Sequence, residues 1–208
     1  MPYPPSLELD TLLRPAIGAR DLDRVLQIVK RYSLQHPEPP RPLLAPQPGL
    51  LSQVERKPGA RTIPQGQDGD WFHLLLYNAG NACLRAGEYA LAIEVYKQAL
   101  IGCSHASVFN NIGCALKLSG RYREALSWFR KAVAQDATYN IGRLRVAGVI
   151  IIGNLPGDPL AELQEFVDGG GTLAEVEEYL GRADDEHRAK LVAVFGKVFP
   201  LEEAPASA

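Results

Sequence analysis

Residues 78–100, NAGNACLRAGEYALAIEVYKQAL, lie over residues 111–133, NIGCALKLSGRYREALSWFRKAV, at a constant offset of 33 residues. Gly80 falls on Gly113, Gly87 on Gly120, Tyr89 on Tyr122, Ala92 on Ala125, Tyr96 on Phe129 and Ala99 on Ala132. A period of this length marks a stacked repeat, in which each unit buries its apolar face only against its neighbours. Within the first unit, Leu75, Leu76, Ala79, Gly80 and Cys83 follow the i, i+3, i+4, i+7 spacing of one buried stripe and predict a helix over Trp71–Ala86. Gly87 ends that helix, because glycine takes the left-handed conformation without steric penalty. A second helix then presents Tyr89, Ala92, Ile93, Tyr96, Ala99 and Leu100 on one face. Small residues at Gly80, Ala92 and Ala99 let the two helices approach, and the tyrosines fill the space that remains.

This order of small and aromatic residues resembles the tetratricopeptide repeat, a helix-turn-helix unit of about 34 residues. Two clear repeats are expected at 73–105 and 106–139, although Ser104 and Ala137 stand where the family usually closes a repeat with proline. The fold expected is all-α, a helical-hairpin solenoid with a helical C-terminal cap. Residues 71–153 form its core, and Tyr139–Ile152 supplies the first helix of a degenerate third repeat with Val146, Ala147 and Ile150 turned inward.

Working outward, ARDLDRVLQIVKRYSLQHP at 19–37 resembles the second half of such a repeat, and Pro15 should kink the helix before it. Residues 1–36 are therefore an N-terminal hairpin, either a degenerate repeat or an unrelated pair of helices. Eight of the chain's 16 prolines fall between Pro37 and Pro64, which makes 37–70 a linker or a strap laid on the body. Residues 154–208 are expected to cap the stack. Pro159 after Asp158 starts a helix there, and Thr172-Leu-Ala-Glu175 after three glycines is a capping box. The last helix places Leu191, Val194, Phe195, Val198 and Phe199 on one stripe.

Composition narrows the function classes. Net charge is −2, so no strong pull toward nucleic acid or an anionic membrane is expected. The balance is uneven: residues 73–139 hold seven Lys/Arg against four Asp/Glu, and 154–208 hold four against twelve. Cys83, Cys103 and Cys114 show no CxxC spacing, and His36, His73, His105 and His187 are scattered, so no zinc site, metal or cofactor is expected. A cytoplasmic location follows from the thiols, the absence of a signal-peptide pattern and an apolar run at Val146–Ile152 too short to cross a bilayer. Gly169-Gly170-Gly171-Thr172 lacks the lysine and preceding strand of a phosphate loop. No nucleophile–base pair, paired carboxylates or cofactor loop points to an enzyme.

The resemblance instead implies a groove, lined by the first helices of successive repeats, that grips a peptide or helix of another protein. Tyr77, Asn78, Asn81, Arg85, Asn110, Asn111, Lys117, Arg143 and Arg145 are the residues expected on that wall. Asparagine suits it because the amide both donates and accepts, and so can pair with peptide backbone of any sequence. Asn81, Asn111 and Arg145 also match places where some family members clamp the C-terminal carboxylate of chaperones, but Tyr77 and Ile141 replace two clamp lysines. The bland reading of Arg143 and Arg145 is a solvated helix face. The acidic cluster around Asp184-Asp185-Glu186 is either solvated surface or a tail that folds back on a basic groove. The expected function is an adaptor or scaffold. The competing class is a regulatory or chaperone-like protein acting through a homodimer, with Trp71 or Trp128 at the contact, or through its C-terminal surface.

Overall fold

A computed structural model describes residues 5–36, 70–101 and 104–201. Among them the chain is all-helical, in the order α1 Pro5–Gly18, α2 Leu22–Gln35, α3 Asp70–Arg85, α4 Tyr89–Leu100, α5 Ala106–Leu118, α6 Tyr122–Gln135, α7 Ile141–Ile152, α8 Pro159–Asp168, α9 Leu173–Gly181 and α10 Asp185–Phe195. The expected proline-rich linker or strap falls almost wholly outside the described residues, as do Cys103 and the side chain of Trp71. Two compact units divide the chain, Met1–Ala115 and Leu116–Ala208.

The same backbone turn recurs between successive helices. At Gly87 (φ 78°) the Glu88 N–H reaches back to the Cys83 carbonyl, and at Gly120 (φ 75°) the Arg121 N–H reaches the Leu116 carbonyl. Both have the six-to-one hydrogen bond of a helix C-terminus closed by a left-handed residue. The turn also forms where no glycine announces it. Arg20 (φ 55°) and Asn154 (φ 47°) take the left-handed position, with Asp21 N–H on the Ala16 carbonyl and Leu155 N–H on that of Ile150. Helix α1 continues through Pro15 to Gly18.

In the first unit α1 and α2 pack on each other and on α3, and α3 packs along α4. Leu13, Val25, Val29, Cys83 and Tyr96 are wholly buried. Gly80 is required here: a Cβ would lie 2.4 Å from Cε1 of Tyr96, so only glycine admits the ring. Two ion pairs, Arg85 to Asp10 and Arg20 to Glu88, join the first hairpin to α3 and the turn after it. Both are exposed and contribute little.

In the second unit α7 is enclosed by α6, α8 and α10. Val146, Ala147 and Ile150 face inward, and so do Leu144 and Val149. Arg145 is buried as well, so it is not on a solvated helix face: α7 has almost no such face to offer. Asp158 caps α8 through the N–H groups of Leu160 and Ala161, with Pro159 at its first position. Thr172 and Glu175 form the capping box of α9, and the Asp184 carboxylate caps α10 through the His187 N–H. Helix α10 stops at Phe195, earlier than the apolar stripe implies. Beyond Gly196 a tight turn still carries Phe199 back under Phe166, 6.1 Å between ring centroids, before Pro200. Each buried phenylalanine of this cluster contributes about 1.5–3 kcal/mol.

Candidate functional site

Helices α3 and α5 meet in the first unit through a polar seam. Asn111 donates through Nδ2 to the Tyr77 hydroxyl at 3.1 Å and to Asn81 Oδ1 at 2.9 Å. Asn81 Oδ1 also accepts from the Tyr96 hydroxyl at 2.7 Å, and Asn110 Nδ2 donates to Asn111 Oδ1 at 3.1 Å. Three helices therefore contribute to one network, with Tyr96 arriving from α4. A chain of this kind fixes each amide plane, since every oxygen and nitrogen that takes part is oriented by a named partner.

Two asparagine atoms on α3 and α5 are left over. Asn78 Nδ2 and Asn110 Oδ1 are buried without a hydrogen-bond partner among the described residues, one a donor and one an acceptor. Asn110 is only 1% exposed, whereas Asn78 is half-buried. An unpaired buried polar group costs about 1–3 kcal/mol. Burial also raises the Tyr77 hydroxyl pKa, an effect partly offset by hydrogen bonds from Asn111 and Asn81. It raises that of Tyr96 well above the ordinary value, with nearby Tyr77 adding to the shift. Both phenols are thus neutral hydrogen-bonding groups and not acids. The Cys83 thiol on α3 is pushed up to about 12 by burial, which makes it an inert apolar filler.

Of the residues expected on a binding wall, Tyr77, Asn81, Asn110 and Asn111 belong to this seam, and Asn78 follows Tyr77 on α3 outside its hydrogen bonds. Asn111 is buried and its amide is committed to neighbouring side chains. Arg85 is taken up by Asp10. The other three lie in the second unit: Lys117 holds its ammonium 5.3 Å from the centroid of the Tyr179 ring, Arg143 pairs with Glu165, and Arg145 is buried. Tyr96 is the member that sequence reasoning placed only in the packing. Its hydroxyl was the available signal, because the second repeat has Phe129 at that position and Cys114 in place of Asn81. Among the described residues no cluster of His, Cys, Asp or Glu could hold a metal ion, and no helix is long and apolar enough to cross a membrane.

Paired helices of constant register, glycines beneath aromatic rings and a repeated left-handed turn define a helical-hairpin repeat protein. Residues 73–137 match the tetratricopeptide repeat family. Human Protein O-mannosyl-transferase TMTC1 is 31% identical over 80 residues, 38% of this chain and 9% of that protein, so the chain spans about a tenth of that relative's length. Similar solved structures include YrrB, described as a TPR protein with an unusual peptide-binding site. It is 14% identical, covering 94% of this chain and 86% of that one at a TM-score of 0.49. A tetratricopeptide repeat protein from Parabacteroides merdae is 14% identical, covering 92% and 60% at a TM-score of 0.44. The Sgt2 TPR domain from Aspergillus fumigatus is 21% identical, covering 64% and 88% at a TM-score of 0.39. Repeats of this family generally mediate protein–protein interactions.

Proposed function

We propose that the chain is a cytoplasmic adaptor that holds an extended segment of another protein against the α3/α5 face of its first unit, and that it is not an enzyme. The observation that carries this reading is the half-buried Asn78 on α3, whose Nδ2 donor finds no hydrogen-bond partner among the described residues. Peptide backbone supplies its complement, a carbonyl that accepts from the amide. The seam bears no net charge of its own, since Arg85 is paired with Asp10. Recognition there is by neutral hydrogen bonds, a mode that tolerates many sequences and depends little on salt. The buried thiols of Cys83 and Cys114 favour a reducing compartment. The shifted tyrosines and Cys83 owe their shifts first to burial, which suits a binding surface better than acid–base chemistry.

Asn78→Leu separates binding from folding. If the amide is retained for a partner, its loss removes an unsatisfied group, so the variant unfolds at the same temperature as wild type or higher while binding disappears. The measurement is affinity capture from lysate of the native host by wild type and variant, with retained proteins identified by mass spectrometry and thermal unfolding followed in parallel. A variant that retains the same partner as wild type would remove the α3/α5 face from consideration.

A further inference from the structure

Helix α6 carries a second, chemically different surface. Arg123, Leu126, Ser127, Arg130, Lys131 and Ala134 recur at i, i+3, i+4, i+7, i+8 and i+11, which places them on a single stripe. They line a shallow concavity of about 390 Å³. The stripe runs about 16 Å along the helix axis. Leu126 forms a buried floor, and the three cations stand exposed around it. Arg121, one residue before the helix, is neutralised by Glu124. Arg123, Arg130 and Lys131, by contrast, make no ion pair or hydrogen bond among the described residues, and only Arg130 feels a nearby carboxylate, that of Glu162 on α8. Lys131 lies 4.2 Å from the centroid of the Trp128 ring, so its charge is positioned without being cancelled.

We propose that this stripe of α6 is a docking surface for a short acidic segment of a partner protein, with carboxylates on Arg123, Arg130 and Lys131 and one apolar side chain over Leu126 and Ala134. Charge selects the class of ligand. Three cations without a salt bridge along one exposed stripe are complemented by carboxylates at matching intervals, and the guanidinium groups offer the forked donors that carboxylates fit. The surroundings select a short peptide over a long polyanion. The unit as a whole holds eleven Lys/Arg against fourteen Asp/Glu, so a nucleic acid extending beyond the stripe meets net negative charge. This surface is independent of the α3/α5 seam and differs from it in kind: binding here falls as salt rises.

The test is fluorescence anisotropy of the full chain with a fluorescein-labelled peptide of repeating Glu-Glu-Leu, about twelve residues long so that a helical form spans the stripe. Wild type is expected to bind it, and the double variant Arg123→Glu/Arg130→Glu to bind at least about tenfold more weakly while keeping its helical circular dichroism. The same double variant is expected to gain affinity for a Lys-Lys-Leu probe that wild type ignores. Equal binding of the acidic probe by wild type and variant overturns the proposal, and so does an equally tight complex with a short DNA duplex. A chain ending at Leu201 is expected to bind as the full chain does. If that truncation alone creates probe binding, the occupant is the chain's own acidic end and the partner proposal falls.

Discussion

Gly80 on α3 and Gly148 on α7 each lie beneath a tyrosine ring, Tyr96 in the first unit and Tyr179 in the second, but the two hydroxyls meet opposite surroundings. A Cβ on Gly80 would fall 2.4 Å from Cε1 of Tyr96, and one on Gly148 would fall 2.1 Å from the Tyr179 hydroxyl oxygen. The residue after Gly80 is Asn81, whose side-chain carbonyl accepts from the Tyr96 hydroxyl. The residue after Gly148 is Val149, and the buried Tyr179 hydroxyl has no hydrogen-bond partner among the described residues. Tyr179 is held by its ring, stacked on Phe195 at 6.1 Å with the Lys117 ammonium 5.3 Å from its centroid. One close approach therefore serves two ends: in the first unit it anchors a polar network, and in the second it closes an apolar core.

The contrast breaks most sharply on adding one methyl group. Alanine at Gly80 drives against the flank of a ring that is wholly buried and tethered at its hydroxyl, so Tyr96 cannot yield without losing Asn81. Gly80→Ala is expected to destabilise by about 2 kcal/mol, net of what alanine gains as a helix former. At Gly148 the first obstacle is the hydroxyl of Tyr179, which no hydrogen bond among the described residues tethers, and Gly148→Ala is expected to cost less than Gly80→Ala, about 1 kcal/mol. Urea unfolding followed by circular dichroism measures both. Equal losses would mean that the hydrogen bond to Asn81 does not restrain the ring.

Removing the hydroxyls sharpens the same comparison with a smaller effect. Tyr96→Phe takes one of two donors from Asn81 Oδ1 and is expected to cost about 1 kcal/mol. Tyr179→Phe removes a buried group that has no partner among the described residues, so it should be neutral or stabilising by up to about 1 kcal/mol. Midpoints of thermal unfolding for the two variants should move in opposite directions, or only the first should fall. A larger loss at Tyr179 than at Tyr96 would reverse the assignment of polar and apolar roles.

The helices of 73–139 were legible because their apolar stripes, turn glycines and 33-residue offset all specify one hairpin repeated. The C-terminal caps were equally legible, since Asp158-Pro159 and Thr172 with Glu175 act through local hydrogen bonds. The turns at Arg20 and Asn154 were not, because a left-handed residue other than glycine is tolerated only when the helices on either side hold it, and that is tertiary information. The stop of α10 at Phe195 was hidden for a related reason: the following turn keeps Phe199 buried, so the apolar spacing continues where the helix does not. In the candidate site the residue types could be read but not their commitments. Asn111 faces Asn81 and Tyr77 instead of an open wall, and the one sequence clue was the paired exchange of Asn81 with Tyr96 for Cys114 with Phe129 between repeats.

The smallest effect is set by pH and isolates the polar seam from the apolar core. Burial holds the pKa of Tyr96 well above its ordinary 10.0 and raises that of Tyr77, because a phenolate inside the seam would lose its hydration. In the unfolded chain both phenols ionise near their ordinary value. Below it, both states keep the proton and the seam contributes its full stability. As pH rises through that value the unfolded state releases protons that the folded state retains, so stability falls with increasing pH until the raised folded values are reached. Urea unfolding of wild type should therefore weaken between about pH 9 and pH 11. Tyr96→Phe starts from a lower stability but has one fewer phenol to titrate, so its curve should be flatter over the same interval. Parallel curves for the two proteins would show that Tyr96 ionises as readily in the fold as out of it, and the seam would lose its claim to a water-excluded interior.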